Sequence, residues 1–127
     1  MGRLRILIVD DEEDLAFTMA ERLILRGFRC EAMTNGIDAL KALSEEHFDV
    51  LVLDVKMPGI DGLQMMTEIR QTHPDLPVIL ITGHGSAADA ERGMRAGAFD
   101  YIMKPIDIER VIQMIHASTG AKKDEKP

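Results

Sequence analysis

Acidic residues come directly after two apolar runs of the chain. Asp10 and Asp11 follow Leu4–Val9, and Asp54 follows Phe48–Leu53. If these runs are neighbouring parallel strands, three carboxylates meet at one edge of a sheet and repel one another by roughly 1 to 4 kcal/mol per close pair. Such a cluster needs a cation, and carboxylate oxygens with water are the ligands that Mg²⁺ prefers. The spacing therefore predicts a magnesium site.

Two other polar groups also follow apolar runs. Thr82 comes after Val78–Ile81, and Lys104 comes after Phe99–Met103. Taken alone, a lysine at the end of a strand is usually a solvated charge. Beside three carboxylates, however, the Lys104 ammonium can neutralise them and bind a phosphoryl oxygen. A hydroxyl, an ammonium and an acid cluster at successive strand ends accept an anion only together with a metal, which indicates phosphate chemistry.

Strand-length apolar runs alternate with segments of helical period along the whole chain. The predicted strands are Leu4–Val9, Arg29–Met33, Phe48–Leu53, Val78–Ile81 and Phe99–Met103. The predicted helices carry apolar stripes at Leu15, Met19 and Leu23, at Ile37, Leu40 and Leu43, at Leu63, Met66 and Ile69, at Ala87, Ala90 and Met94, and at Ile108, Val111, Ile112 and Ile115. Asn35 is placed to cap the second helix, and the fourth stripe, being the thinnest, predicts the most loosely held helix.

Five such βα units predict an α/β fold with a doubly wound parallel sheet and helices on both faces. The strands hardly alternate between apolar and polar residues, as expected for a sheet covered on both sides. Right-handed crossovers leave few topologies, of which we favour the flavodoxin-like strand order 2-1-3-4-5. In such a sheet the functional groups collect at the carboxyl ends of the strands, near the switch point between the first and third.

Composition limits the classes of protein to which the chain can belong. Its 127 residues are 46% hydrophobic and suit one domain, which we place at residues 1–118, with 119–127 as a polar tail or truncated linker. The formal charge of −7 disfavours direct binding to nucleic acid or to an anionic membrane. The single cysteine, Cys30, excludes an intrachain disulfide. Without a signal-peptide layout or a long apolar run, we expect a cytoplasmic location.

Two other phosphate-binding classes fit the sequence less well. Residues 83–88 match the pattern G-x-G-x-x-A between a strand and a helix, but the first βα turn, where a dinucleotide site is expected, is acidic. The same acids oppose a flavin phosphate. A haloacid-dehalogenase-like phosphatase needs a second aspartate two residues after the first, where this chain has Lys56.

Five segments, taken together and in order, resemble the receiver domain of two-component response regulators over residues 4–118. They are Ile6–Glu12, Leu53–Gly62, Thr82–Gly85, Ala96–Ala98 and Tyr101–Pro105. Each segment is weakly specific alone, whereas the ordered set is highly specific. The strand order favoured above is also that of chemotaxis response regulators, so the two expectations are not independent.

The resemblance implies a phosphoacceptor and its metal. Asp54 would attack a phosphohistidine donor and become an acyl phosphate. Mg²⁺ would be bound by Asp11, by Asp54 and by the backbone carbonyl of Lys56, with Asp10 assisting, often through water. This is nucleophilic catalysis by a carboxylate, in which positioning and charge neutralisation do most of the work.

The resemblance also implies a switch. Lys104 would bind the phosphoryl group, with a cis peptide to Pro105 aiming its ammonium at Asp54. Thr82 would turn its hydroxyl towards the phosphoryl group, and Tyr101 would follow inward as an aromatic switch. The face made by the fourth helix, fifth strand and fifth helix would then change shape.

The sequence thus predicts a phosphorelay switch and not a turnover enzyme, although the domain would assist its own phosphorylation and slow dephosphorylation. Its partners would be a sensor histidine kinase or phosphotransfer protein and, through the switching face, a second copy or an output partner, with transcription regulators as one class of output. The first alternative is a receiver-like interaction module that works without phosphorylation. The second is a Mg²⁺-dependent hydrolase. The resemblance also implies that Lys56 and His84 influence the lifetime of the phosphoryl group.

Overall fold

The computed structural model describes residues 3–55, 62–83 and 87–124, with side chains as far as residue 120. The strands are β1 (Arg5–Val9), β2 (Arg29–Met33), β3 (Val50–Asp54), β4 (Val78–Thr82) and β5 (Asp100–Met103). The helices are α1 (Glu13–Leu25), α2 (Gly36–Glu45), α3 (Gly62–Thr72), α4 (Ala87–Arg95) and α5 (Ile108–Asp124). Because α5 continues to Asp124, it runs through the predicted boundary at residue 118, and that boundary stays a prediction.

The five strands form one parallel sheet in the order β2-β1-β3-β4-β5. This confirms the predicted strand order and the flavodoxin-like, doubly wound fold. Every residue of β3 and β4 is buried, which explains why these segments are continuously apolar until their final polar residue.

Two hydrophobic clusters lie on opposite faces of the sheet. One packs α2 and α3 against it through residues such as Met65 and Ile69. The other packs α1 and α5 through residues such as Leu23, Val111 and Ile115. Their separation into two sets confirms the prediction of helices on both faces.

The second helix differs in part from its predicted stripe. Asn35 caps it as expected, because its side-chain oxygen accepts a 2.8 Å hydrogen bond from the backbone N–H of Asp38. Ile37, however, is 71% exposed, so its assignment to the core was wrong. The buried face is centred on Ala39 and Leu43, and Ile37 lies about 200° around the helix from Ala39 at 100° per residue.

The fourth helix is attached to the sheet by small residues. Its buried residues are Ala90 and Gly93, whereas Met94, predicted in the core, is 38% exposed. A β-carbon on Gly93 would collide with the side chain of Leu80, so the missing side chain lets β4 and α4 approach closely. The buried face therefore passes through Gly93, and Met94, one residue further, is rotated away from it. The expectation of a thin apolar contact is confirmed.

None of the described helices combines the length and the apolar composition needed to cross a membrane.

Candidate functional site

The register of the sheet brings the first and third strand ends together. Val9 of β1 pairs with Leu53 of β3, so the next residues, Asp10 and Asp54, lie side by side. The backbone N–H of Asp10 donates a 3.1 Å hydrogen bond to Met33, which extends the β1–β2 ladder by one residue. The polar residues are therefore fixed by the same hydrogen bonds that hold the sheet.

Asp10, Asp11 and Asp54 form an acidic cluster in which one carboxylate oxygen from each lies within 4.8 Å of the others. Asp10 and Asp54 are buried, and Asp11 is exposed. One oxygen of Asp10, Oδ1, accepts a 2.9 Å hydrogen bond from the backbone N–H of Glu12. The other, Oδ2, is buried and accepts no hydrogen bond from any residue that the structure describes.

This cluster fits a hard divalent cation. A buried carboxylate oxygen without a hydrogen bond is costly, and a cation bound beside it would offset that cost. Because Asp11 is exposed, the cluster is open to water on one side, as suits Mg²⁺, which keeps several water ligands. Lys56, whose carbonyl was predicted as a further ligand, lies outside the described residues, as does His84.

The fifth strand places Lys104 against the cluster. Met103 pairs with Thr82, and the backbone N–H of Lys104 donates a 2.8 Å hydrogen bond to the Thr82 carbonyl. The peptide bond between Lys104 and Pro105 is cis, as predicted. The Lys104 ammonium lies 3.6 Å from an oxygen of Asp10 and 3.6 Å from an oxygen of Asp54.

Of the residues that the structure describes, Glu12 is the closest partner of Lys104, and its carboxylate accepts a hydrogen bond from the ammonium. Burial alone lowers the pKa of Lys104, but the hydrogen bond to Glu12 and the charges of Asp54 and Asp10 together raise it above its usual value. The ammonium is therefore charged at neutral pH. Nothing in the sequence spacing distinguishes Glu12 from the neighbouring Glu13, so this pairing could not be predicted from the sequence.

Thr82 and Tyr101 occupy different environments. Thr82 is 1% exposed, and its buried hydroxyl has no hydrogen-bond partner within the described part of the chain. Its backbone lies between the cluster and Lys104, since the preceding residue, Ile81, pairs with Asp54. Tyr101 is 38% exposed and lies on the outer part of β5, at the position opposite Leu80.

Of the predicted site residues that the structure describes, it thus brings together the three aspartates and Lys104, with Thr82 at the adjoining strand end. Tyr101 lies apart from them. Chemically, the arrangement offers a carboxylate nucleophile, a fixed ammonium beside it and oxygen ligands for a metal, which are the groups needed to receive a phosphoryl group.

Comparison with known proteins agrees with this chemistry. Residues 6–116 match the family model described as the response regulator receiver domain. The chain is 34% identical over 126 residues to the DNA-binding transcriptional regulator NtrC of Escherichia coli K12, covering 99% of this chain and 27% of NtrC. It is 37% identical over 108 residues to the C4-dicarboxylate transport transcriptional regulatory protein DctD of Rhizobium meliloti, covering 85% of this chain and 24% of DctD.

A solved structure gives the same result. The receiver domain of NtrX from Brucella abortus superimposes with a TM-score of 0.87 at 34% identity, covering 91% of this chain and 98% of that domain. The chain spans about a quarter of the length of the curated relatives NtrC and DctD. Because the family match covers most of the sequence and the fold agrees, the chain belongs to the response regulator receiver domain family.

Proposed function

We propose that the chain receives a phosphoryl group on Asp54 from the phosphohistidine of a sensor histidine kinase or phosphotransfer protein. A carboxylate oxygen of Asp54 forms the new bond to phosphorus, the P–N bond of the donor breaks, and its electron pair returns to the imidazole. The observation that carries this proposal is the 3.6 Å approach of the Lys104 ammonium to Asp54 within the acidic cluster.

Asp10, Asp11 and Asp54, with the carbonyl of Lys56, would hold Mg²⁺. When bound, Mg²⁺ supplies positive charge that offsets the repulsion between the carboxylates and an incoming phosphoryl group. Lys104 binds a phosphoryl oxygen, because its ammonium already faces Asp54. The Thr82 hydroxyl, which lacks a partner in the described structure, donates a hydrogen bond to another phosphoryl oxygen.

Phosphorylation would change the face made by α4, β5 and α5. Four large apolar side chains are partly exposed there: Met94, Phe99, Tyr101 and Met103 are 38% to 41% exposed. We infer that Tyr101 moves inward once Thr82 has moved towards the phosphoryl group, and that a second copy or an output partner binds the altered face. This surface, with the net charge of −7, supports control through a protein and not through direct contact with nucleic acid.

The same proposal extends to the cellular location, the output and the bounds of the domain. Receiving a phosphoryl group from a kinase fits a cytoplasmic location, and the transcriptional regulators among its relatives fit an output in transcription. Residues 1–118 would form the receiver domain and 119–127 a tail or the start of a linker. The domain would assist its own phosphorylation and slow dephosphorylation without turning over free substrates.

Labelling by a small phosphodonor tests the function. Incubation with acetyl phosphate and Mg²⁺, followed by intact mass measurement, should add one phosphoryl group, and Asp54→Asn should abolish the addition. Asp14→Asn is the matched control, because Asp14 lies in the exposed first turn of α1 and should label like the unmodified protein. Undiminished labelling of Asp54→Asn would overturn the assignment.

The alternatives are distinguished by two further measurements, of partner binding before and after labelling and of turnover of a phosphomonoester. A module that works without phosphorylation would bind its partner equally well before and after treatment and would not be labelled. A hydrolase would release inorganic phosphate continuously from a phosphomonoester.

A further inference from the structure

The Lys104 ammonium faces three carboxylates but is not equally close to all of them. It donates a hydrogen bond to Glu12, whereas its nearest approaches to Asp10 and Asp54 are 3.6 Å. That distance exceeds the roughly 2.7–3.2 Å of an N–H···O hydrogen bond. In the described structure, therefore, the lysine of the proposed phosphoryl site is bound to a carboxylate outside the acidic cluster.

The backbone explains why the Glu12 carboxylate is available for this contact. Glu12 is the N-cap residue of α1, but its side chain makes no capping hydrogen bond. Its backbone N–H donates to Asp10, which fixes Glu12 directly beside the cluster. The side chain is 60% exposed and reaches from the loop between β1 and α1 to Lys104, which directly follows β5.

We propose that Glu12 is a positioning residue that holds Lys104 in the unphosphorylated protein and competes with the phosphoryl group for its ammonium. This inference rests on the proposed function, because it assumes that Lys104 binds a phosphoryl group on Asp54. Phosphorylation then requires the ammonium to leave Glu12 and bind a phosphoryl oxygen on Asp54. Glu12 thereby sets how readily the site accepts a phosphoryl group.

The direction of the effect follows from charge. A phosphoryl group carries about two negative charges near neutral pH, whereas Glu12 carries one, so the Lys104 ammonium binds the phosphoryl group in preference to Glu12. The hydrogen bond to Glu12 must nevertheless be broken first. Because Glu12 is largely exposed, the loss is small, and we expect an effect of about two- to five-fold on affinity.

Glu12→Gln is the direct test, because it keeps the shape of the side chain and removes its charge. Beryllofluoride, which mimics a phosphoryl group, serves as the probe at fixed Mg²⁺ concentration and ionic strength, and its affinity is measured by NMR titration. We expect Glu12→Gln to bind the probe about two- to five-fold more tightly than the unmodified protein. The substitution removes no helix cap, so the fold should be retained.

Two comparisons separate this mechanism from a general change in charge. Glu13→Gln removes the same charge one residue away, in the exposed first turn of α1, and should give a clearly smaller gain. In a Lys104→Met background, Glu12→Gln should give no gain, because the residue for which Glu12 competes is missing. An equal gain in Glu13→Gln, or a gain that persists with Lys104→Met, would overturn the proposal.

A spectroscopic measurement without any phosphoryl mimic provides an independent test. The side-chain ¹⁵Nζ and ¹³Cε signals of Lys104, assigned through their loss in Lys104→Met, should shift in Glu12→Gln and stay in place in Glu13→Gln. Unchanged signals in Glu12→Gln would mean that the two side chains are not paired in solution. If the unmodified protein binds no beryllofluoride and takes no phosphoryl group, the proposed function itself fails. If the unmodified protein binds beryllofluoride and Glu12→Gln binds it with the same affinity, only the role of Glu12 is refuted.

Discussion

A β-carbon on Gly62 would lie 2.6 Å from the carbonyl oxygen of Asp54. It would also lie 2.7 Å from the Cα atom and 2.8 Å from the carbonyl oxygen of Val55. The N–H of Gly62 donates a 2.8 Å hydrogen bond to that second carbonyl. The first residue of α3 thus touches the backbone that carries the proposed phosphoacceptor.

The first prediction follows from this contact. Gly62→Ala should destabilise the protein by about 1–3 kcal/mol, because the neighbouring atoms are backbone and move only with α3 or with the end of β3. The displacement should also slow labelling by acetyl phosphate, since Asp54 would shift relative to Lys104. Denaturant unfolding and initial labelling rates measure the two effects. Gly120→Ala is the control: no described atom lies within 4 Å of its added carbon, so it should be neutral or stabilising.

A second prediction concerns the metal. Mg²⁺ should raise the melting temperature, because a cation offsets the repulsion among carboxylates held within 4.8 Å of one another. At about ten times the Kd the gain is about 1.4 kcal/mol, which corresponds to a rise on the order of 3–6 °C. Asp11→Ala should remove most of this response, since it deletes the exposed ligand of the cluster.

The Mg²⁺ measurement needs two controls. Sodium chloride at equal ionic strength tests for simple charge screening. Asp14→Ala removes an aspartate of the same segment that lies outside the cluster, and it should keep the full response to Mg²⁺. An equal rise in Asp11→Ala would contradict the metal site.

Most of the fold could be predicted because its signals are local. The two central strands are continuously apolar, and their final polar residues, Asp54 and Thr82, mark the functional edge in the sequence itself. The strand order depended on the rule for crossovers and on resemblance. Ile37 was placed wrongly because an apolar residue in a first turn satisfies a helical period whether or not that side of the helix faces the sheet.

The contacts of the site were harder to predict than its members. The three aspartates could be predicted as site residues because they follow apolar strands. The pairing of Glu12 with Lys104 could not, because it joins residues 92 positions apart through flexible side chains. Likewise, a glycine within a helix normally lowers the stability of that helix, and nothing in the sequence around Gly93 indicates that Leu80 packs against it. Such contacts depend on the distance between packed layers, which sequence periodicity does not encode.

The third prediction concerns the single cysteine. Burial, followed by the charge of Glu31, raises the pKa of the Cys30 thiol from 9.0 to about 12. A raised pKa means less thiolate at a given pH, and the thiolate is the reactive form. Iodoacetamide at pH 8 should therefore alkylate native Cys30 far more slowly than it alkylates the urea-unfolded chain. Equal rates in the two states would contradict this environment.

The last prediction concerns the switching face. Beryllofluoride with Mg²⁺ should shift the amide signals of α4 and β5 as well as those near Asp54, because little burial opposes a movement of α4, whose buried residues are Ala90 and Gly93. The link is the Thr82 hydroxyl, which is buried without a partner among the described residues and would gain one in the phosphoryl mimic. Thr82→Val keeps the shape of this side chain and removes the hydroxyl. In that variant we expect the shifts near Asp54 to remain and those of residues 87–104 to diminish.

The size of the coupling can be measured on the same face. If a partner or second copy prefers the altered arrangement, phosphorylation should tighten its binding by an amount equivalent to typically 1–3 kcal/mol. Tyr101→Ala should reduce this difference, because the exposed ring could no longer occupy the space that Thr82 vacates. Shifts confined to the surroundings of Asp54 in the unmodified protein, with residues 87–104 unchanged, would contradict the mechanism. A full response of those residues in Thr82→Val would show instead that the signal reaches α4 without the hydroxyl, through the backbone of β4 and the Leu80–Gly93 contact.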